Sequence, residues 1–305
     1  MRGRLGLGRT VAASLMVAAL TLACTACGGS TLAGQPGSIK VVAGENFWGS
    51  MAIELGGSKV NVQSVVTDPN ADPHSYESST NDARAFADAD LVILNGAGYD
   101  DWGQKLLAAN ASKHRRVMTV AKLLSKKAGD NPHFWYDPDY VVKVADQITS
   151  SYRAIDSADA SYFEQKRSDF GSALPYLDRL AEIKAKFGGK PIGSTESIFV
   201  YMANALSLAL ISPPEFMQAV SEGNDPPANA VAAFHDQITG KGIKVLVYNV
   251  QTATSITTNL KNLATVNHIP VVGISETLQP ETATFQDWQL GQLVNLENAL
   301  TASMS

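Results

Sequence analysis

Ile39-Lys-Val-Val-Ala43 and, three residues on, Asn46-Phe-Trp-Gly-Ser-Met-Ala-Ile-Glu-Leu-Gly56 decide the fold. The first is a short apolar run rich in β-branched residues, and the second repeats its apolar positions at helical spacing, so together they read as a strand feeding a helix. Working outward, the same alternation recurs. Residues 60–66 predict a strand, 81–87 a helix, Leu91-Val-Ile-Leu-Asn95 a buried strand, 102–109 a helix and 116–120 a strand. Strands that alternate with helices build a parallel sheet covered by those helices. A second set starts at Pro191-Ile-Gly-Ser194, with helices expected over 197–206 and near 228–239 and strands at Val245-Leu-Val-Tyr-Asn249 and Val271-Val-Gly-Ile274. The expectation is an α/β chain of two lobes, 39–156 and 189–305.

Between them, residues 157–188 place Tyr162, Phe163, Phe170, Leu174, Leu177, Leu180, Ile183 and Phe187 mostly at three- and four-residue steps. One continuous helix of that length would span about 48 Å at 1.5 Å per residue, longer than a compact lobe needs, and would join the lobes. Pro175 should bend it or open one turn; the alternative is two ordinary helices joined there.

Among 305 residues, 24 Lys and Arg face 29 Asp and Glu, a net charge of -5 with no long basic run after the N-terminus. That removes the electrostatic footprint of nucleic-acid binding. The two cysteines, Cys24 and Cys27, leave the body of the chain without a disulfide or a thiolate metal site, so any metal must be held by His, Asp or Glu. Arg2, Arg4 and Arg9 precede an apolar run over 11–23, the layout of a secretory signal. The run is short of the roughly 20 residues that cross a bilayer as a helix, and no later stretch is a better candidate. Export without a membrane span is expected. The Cys-Thr-Ala-Cys that closes the run resembles a bacterial lipobox. The resemblance implies a lipidated N-terminus at Cys27, with Cys24 as the alternative and a plain signal cut near Ala26 as another. Cys24 itself stands where the lipobox prefers Leu. Residues 1–27 then form the signal, and the Gly-, Ser-, Thr- and Pro-rich 28–38 a flexible tether.

Of five histidines, His74 and His133 share a local grammar: each follows a proline at an element junction. His74 lies in Thr67-Asp-Pro-Asn-Ala-Asp-Pro-His-Ser-Tyr-Glu77, just after a predicted strand, where such folds bind ligands. His133 lies in Asn131-Pro-His-Phe-Trp-Tyr-Asp-Pro138. The prolines restrict the backbone and pre-orient each imidazole as a metal ligand requires, although a His after Pro in a loop, taken singly, is more often a hydrogen-bonded surface residue. His114 and His235 sit in polar surroundings that favour solvation, and His268 precedes a strand. Phe47, Trp48, Trp102, Trp135 and Tyr136 read as a cap over the lobe interface that keeps water out, or as a ligand-stacking box.

Taken in order, Asp72-Pro-His-Ser-Tyr-Glu77, the stretch from Asp88 to Trp102, Asn131-Pro-His-Phe-Trp-Tyr-Asp-Pro138, Gly193-Ser-Thr-Glu-Ser-Ile-Phe-Val-Tyr-Met-Ala203 and Ile269-Pro-Val-Val-Gly-Ile-Ser-Glu-Thr277 resemble the zinc/manganese-type solute-binding lipoproteins that feed ABC importers. The resemblance covers the whole mature chain. It implies two lobes joined by a long helix, a divalent metal between them, and His74, His133, Glu196 and Glu276 as ligands. Many zinc-binding members have His at the third position and manganese-binding relatives often have Glu. At the fourth the family usually has Asp, so Glu276 is one methylene longer. The chain departs again at Tyr248-Asn-Val-Gln251, where relatives often carry an acidic residue. Read without the family, Glu196 opens a helix, where a carboxylate is explained as well by the helix dipole. Glu276 follows a strand and faces its carboxyl end.

The implied partners are a permease with its ATPase, and the membrane through the N-terminal lipid, either on the periplasmic side or on the outer face of the cell membrane. A monomer is expected. Two imidazoles and two carboxylates suit zinc or manganese and disfavour copper(I). The short, basic, His-free 122–130 removes one argument for zinc, whereas the rise in affinity from manganese to zinc at N/O sites favours it. Two other classes compete: a secreted metallohydrolase with three ligands and an activated water, and a surface adhesin that metal merely stiffens. Neither a His-Glu-x-x-His helix nor a Gly-x-Ser-x-Gly elbow is present, and no enzymatic activity is expected.

Overall fold

The structure is a computed structural model that describes residues 37–70, 73–172 and 175–304. The signal segment, both cysteines and the tether up to residue 36 lie outside the described residues.

In the first lobe, β1 (Ile39–Glu45), α1 (Asn46–Gly56), β2 (Val60–Val66), α2 (Thr80–Asp88), β3 (Leu91–Leu94), α3 (Asp101–Ala109), β4 (Arg116–Thr119) and α4 (Val120–Leu123) follow one another. The strands form a parallel sheet in the order β2-β1-β3-β4. Every residue of β3 is buried, as expected for an apolar strand covered on both faces. After α5 (Pro138–Ile155), α6 (Ala160–Ser172) and α7 (Pro175–Phe187) comes the second lobe. It comprises β5 (Pro191–Ser194), α8 (Val200–Ala205), β6 (Ala209–Leu210), α9 (Pro214–Ser221), α10 (Ala228–Thr239), β7 (Leu246–Asn249), α11 (Ser255–Val266), β8 (Val271–Ile274) and α12 (Phe285–Ala302). Its sheet, β6-β5-β7-β8, is again parallel and repeats the order of the first.

The expected strands and helices are present, and the stretch 157–188 is described as two helices. Pro175 is the first residue of α7, a position where its missing N–H costs no hydrogen bond. The halves bury the anticipated residues against different lobes: α6 packs on α1 and α5, α7 on α12. Phe163 and Phe170 are buried on α6, and Tyr176, Leu180, Ile183 and Phe187 on α7.

One large apolar cluster runs through both sheets and the helices between them, while two smaller clusters fill the outer faces of the lobes. The shared cluster explains how the lobes hold together. Phe47 stacks on Trp135 with ring centroids 3.9 Å apart, and the buried Tyr136 hydroxyl, with one hydrogen to give, reaches across the lobes to two acceptors, the Ser275 carbonyl and Gln292 Oε1, each 2.8 Å away. Each such ring is worth about 1.5–3 kcal/mol when fully buried. Trp102 departs from the expected cap. It sits on α3 against Tyr76 and Phe86, at 5.0 and 5.9 Å, in the outer cluster of the first lobe. The helix turns its ring away from the interface.

Candidate metal centre

Both sheets aim the carboxyl ends of their strands at one buried point. His74 arrives on a one-turn helix, Pro73–Ser75, that follows β2. His133 follows α4 and precedes the turn Phe134–Tyr136. Glu196 stands two residues past β5, and Glu276 two residues past β8. One ligand atom from each of the four lies within 4.8 Å of all the others. His133 Nε2 is 3.2 Å from Glu196 Oε1 and 3.9 Å from Glu276 Oε2, and His74 Nε2 is 3.4 Å from Glu276 Oε2. Four donors in a tetrahedron at zinc's bond lengths would be about 3.3–3.6 Å apart. The constellation therefore needs only small shifts to close on an ion.

Neighbouring groups fix which atoms point inward. Asn131 donates through Nδ2 to the Ser197 carbonyl at 2.7 Å, so its Oδ1 must face the other way, where it accepts from the His133 backbone N–H at 3.0 Å. The same Oδ1 lies 2.7 Å from His133 Nδ1. An acceptor there calls for a proton on Nδ1, so that a neutral imidazole would present its Nε2 lone pair on the side of Glu196. The loop is further clamped by Asn95, whose Nδ2 donates to the Pro132 carbonyl at 2.9 Å, and by the Tyr201 hydroxyl, which donates to the Asn131 carbonyl at 2.9 Å.

Glu196 does not act as a helix cap. It precedes the short turn Ser197–Phe199, yet its side chain makes no capping bond. Instead Oε2 accepts from Asn249 Nδ2 and from Thr252 Oγ1, the latter at 3.1 Å. Its Oε1 and the Nε2 of His133 are buried facing each other at 3.2 Å, with no other hydrogen-bond partner. A buried acceptor without a donor is costly, and a cation between these two atoms removes that cost. Glu276 is set by Gln251, whose Oε1 accepts from the backbone N–H groups of Glu276 and Thr277 at 2.6 and 3.1 Å. Its Oε1 accepts from Asn249 Nδ2 at 2.8 Å and its Oε2 from the Tyr99 hydroxyl at 2.6 Å. Burial alone would raise the Glu276 carboxyl, but the positive charge and hydrogen bond of His74, with help from His133 and Tyr99, pull it down to about 2.

Tyr99 reaches Glu276 from a loop with three successive left-handed residues, Gly96 (φ 77), Ala97 (φ 59) and Gly98 (φ 90). At Gly96 a side chain would also meet Thr119 Cγ2 at 2.6 Å, so glycine is required twice over. Asp100 secures the loop by accepting from the Asn95 and Gly96 N–H groups at 2.5 and 2.7 Å. Behind it lies the buried Glu45. Burial, then the charge of Asp100 and the hydrogen bond to it, push the Glu45 carboxyl well above its usual range, and burial lifts Asp100 to about 6 against those two N–H bonds. Both shifts favour the protonated form of this carboxyl pair.

His133, Glu196 and Glu276 have fully buried side chains, whereas that of His74 is 22% exposed. A cavity of about 700 Å³, lined among others by Gly98, Tyr99, Asn131, Ser197 and Met217, opens onto His74. His114, His235 and His268 are exposed and take no part. The four candidates from sequence thus come together. Asn131, Asn249, Thr252 and Tyr99 were not anticipated as site residues, although Asn131 stands two residues before His133 and Asn249 at the end of a central strand.

A model of the family described as zinc-uptake complex component A, periplasmic, matches residues 41–299. The manganese ABC transporter substrate-binding lipoprotein PsaA of Streptococcus anginosus is 27% identical over 217 residues, covering 65% of this chain and 68% of its own. The iron ABC transporter substrate-binding lipoprotein MtsA of Streptococcus pyogenes serotype M1 is 26% identical over 204 residues, covering 61% and 64%. The chain thus spans about two thirds of the length of these relatives, which are named as substrate-binding proteins and not as enzymes. Among solved structures, the Mn-bound periplasmic metal binding protein from Candidatus Liberibacter asiaticus superposes with a TM-score of 0.68 at 18% identity, over 85% of this chain and 98% of that one. A crystal structure of ZnuA gives 0.69 at 21% identity, over 86% and 99%. These two likenesses show the fold, two parallel sheets flanked by helices. With the match running through both lobes, the chain belongs to the zinc-uptake complex component A family of metal-binding, solute-binding components of ABC transporters.

Proposed function

We propose that this protein captures one divalent transition metal ion, zinc in preference to manganese or iron, with His74, His133, Glu196 and Glu276, and hands it to the permease of an ABC importer driven by its ATPase. The reading rests on one observation above all: four side chains from two lobes turn one ligand atom each toward a common buried point. A hydrolase would keep three ligands and an open position for water; a fourth donor within reach of the other three supports capture over hydrolysis. Zinc is favoured because four-coordinate N/O sites suit it and its affinity for such donors exceeds that of manganese and iron(II). The ion enters and leaves past His74, the exposed member of the set. Residues 39–156 and 189–305 act as the two metal-binding lobes, with 157–188 linking them. The chain works at the outer face of the cell membrane, tethered by a lipid on Cys27, and no helix among the described residues is long and apolar enough to cross a membrane.

Titration calorimetry on metal-stripped protein, with zinc and manganese in parallel and His74→Ala as control, tests the reading. Tight one-to-one uptake, with zinc the stronger and the substitution weakening it at least tenfold, is the expected result. Absence of uptake by the intact protein would leave the fold without this function.

A further inference from the structure

The Asn249 side chain donates a hydrogen bond to both glutamates of the centre. Its amide orientation is fixed by the chain itself: Oδ1 accepts from the Gln251 backbone N–H at 3.0 Å, which turns Nδ2 toward Glu196 Oε2 and Glu276 Oε1, the latter at 2.8 Å. A primary amide nitrogen carries two hydrogens, one for each carboxylate. Thr252 adds a second donor to Glu196 Oε2 at 3.1 Å. Asn249 thus engages one oxygen of each glutamate, leaving Glu196 Oε1 turned to His133 and Glu276 Oε2 turned to the histidines, where it also accepts from the Tyr99 hydroxyl at 2.6 Å.

We infer that Asn249 sets the coordination number of the site: by occupying one oxygen of each glutamate it limits both to single-oxygen donation, and so selects a four-coordinate ion such as zinc against manganese. The inference rests on the metal-capture reading and deepens it. Manganese seeks additional oxygens, most readily through bidentate carboxylates. To offer them here, both glutamates would have to abandon Nδ2 and leave a buried N–H₂ without acceptors, at a cost of about 1–3 kcal/mol for each unsatisfied group. Zinc, satisfied by two nitrogens and two oxygens, leaves those bonds in place. Asn249 is 1% exposed, so water does not take over the abandoned hydrogens.

Asn249→Asp is the decisive variant. The new carboxylate keeps an oxygen for the Gln251 N–H, preserving the turn, and replaces the donor with an acceptor that repels both glutamates. Asn249→Ala removes the donor without adding charge and covers the case in which the aspartate variant fails to fold. The purified protein and both variants are titrated with zinc and with manganese, and loaded with cobalt(II), whose visible absorption is strong in four-coordinate and weak in six-coordinate sites. The wild type should prefer zinc and give the strong spectrum. In the variants the zinc-to-manganese affinity ratio should fall at least tenfold and the cobalt absorption should weaken. Variants that bind metal with the wild-type ratio and spectrum would overturn the role of Asn249 while leaving metal capture intact. A weak cobalt spectrum in the wild type would overturn it as well, and a wild type that takes up none of the three ions would overturn capture itself.

Discussion

The two lobes share a strand order and place an acid at the same point of it, yet they use that acid differently. In the first lobe Glu45 ends β1 and meets Asp100 from the loop after β3; in the second Glu196 follows β5 and meets Asn249 at the end of β7. Both pairs sit where the strand order reverses, the crevice in which open α/β sheets hold ligands. A carboxylate beside a carboxyl keeps a proton, because two buried like charges cannot both ionise. A carboxylate beside an amide is held as a hydrogen-bonded acceptor with one oxygen left over for a cation. The first lobe therefore spends its acids on fixing the loop that carries Tyr99 and supplies imidazoles to the centre, while the second supplies the anions. Topology locates the crevice, and on the proposed reading its second acid stands beside an amide where the first stands beside a carboxyl, which favours a metal in one lobe and a proton in the other.

The strongest way to break this division is to remove a ligand from each side. His133→Ala and Glu196→Ala should each lower zinc affinity more than tenfold, at least about 1.4 kcal/mol, as read by calorimetry or competition with a chelating dye. Unchanged affinity in both would dissolve the site.

Tyr99 crosses the division, since its loop belongs to the first lobe and its hydroxyl holds Glu276 of the second. Tyr99→Phe keeps the ring against His74, 4.5 Å away, and loses only the hydrogen bond. Affinity should drop about five- to tenfold, the worth of one ordinary net hydrogen bond of about 1–1.4 kcal/mol. A loss as large as that of a ligand would make Tyr99 more than a positioning residue.

The smallest effect on metal binding should come from Glu45→Gln, because its carboxyl pair stands behind the site. Here stability and its pH dependence carry the signal. Both acids titrate above their unfolded values, so the native state binds more protons than the unfolded chain, and stability that is full below about pH 4 is lost as pH rises through about 6 and beyond. Glutamine can donate to Asp100 without a proton to lose. Melting of the metal-free variant should fall less between pH 5 and pH 8 than that of the wild type, with a gain at pH 8 of about 1 kcal/mol, or about 2–4 °C. Parallel melting curves for the two proteins would mean that Glu45 is not protonated.

Much of this arrangement is legible in the sequence, because parallel strands are short apolar runs and prolines announce the two histidine loops. What escapes has physical reasons. β6 is two residues long and has no period to read. In α11 the threonines mask the helical pattern that its capping box, Thr254 with Thr257, sets up. The buried residues of α12 do not form a single apolar stripe: Gln286 and Gln289 are buried beside its leucines, because it packs on α7, β8 and α1 together. Asn131 and Asn249 were on the page as letters, but an asparagine declares no role until a neighbouring N–H or carbonyl fixes its amide. Trp102 was misplaced because aromatic composition does not say which face of a helix looks inward.

The central claim is tested most directly by a crystal structure of the zinc-loaded protein with anomalous data collected across the zinc edge. The account predicts one strong peak about 2.0–2.2 Å from His74 Nε2, His133 Nε2, Glu196 Oε1 and Glu276 Oε2, with Asn249 still bonded to the other oxygen of each glutamate. A peak elsewhere, or an ion held by fewer than these four side chains, would contradict it.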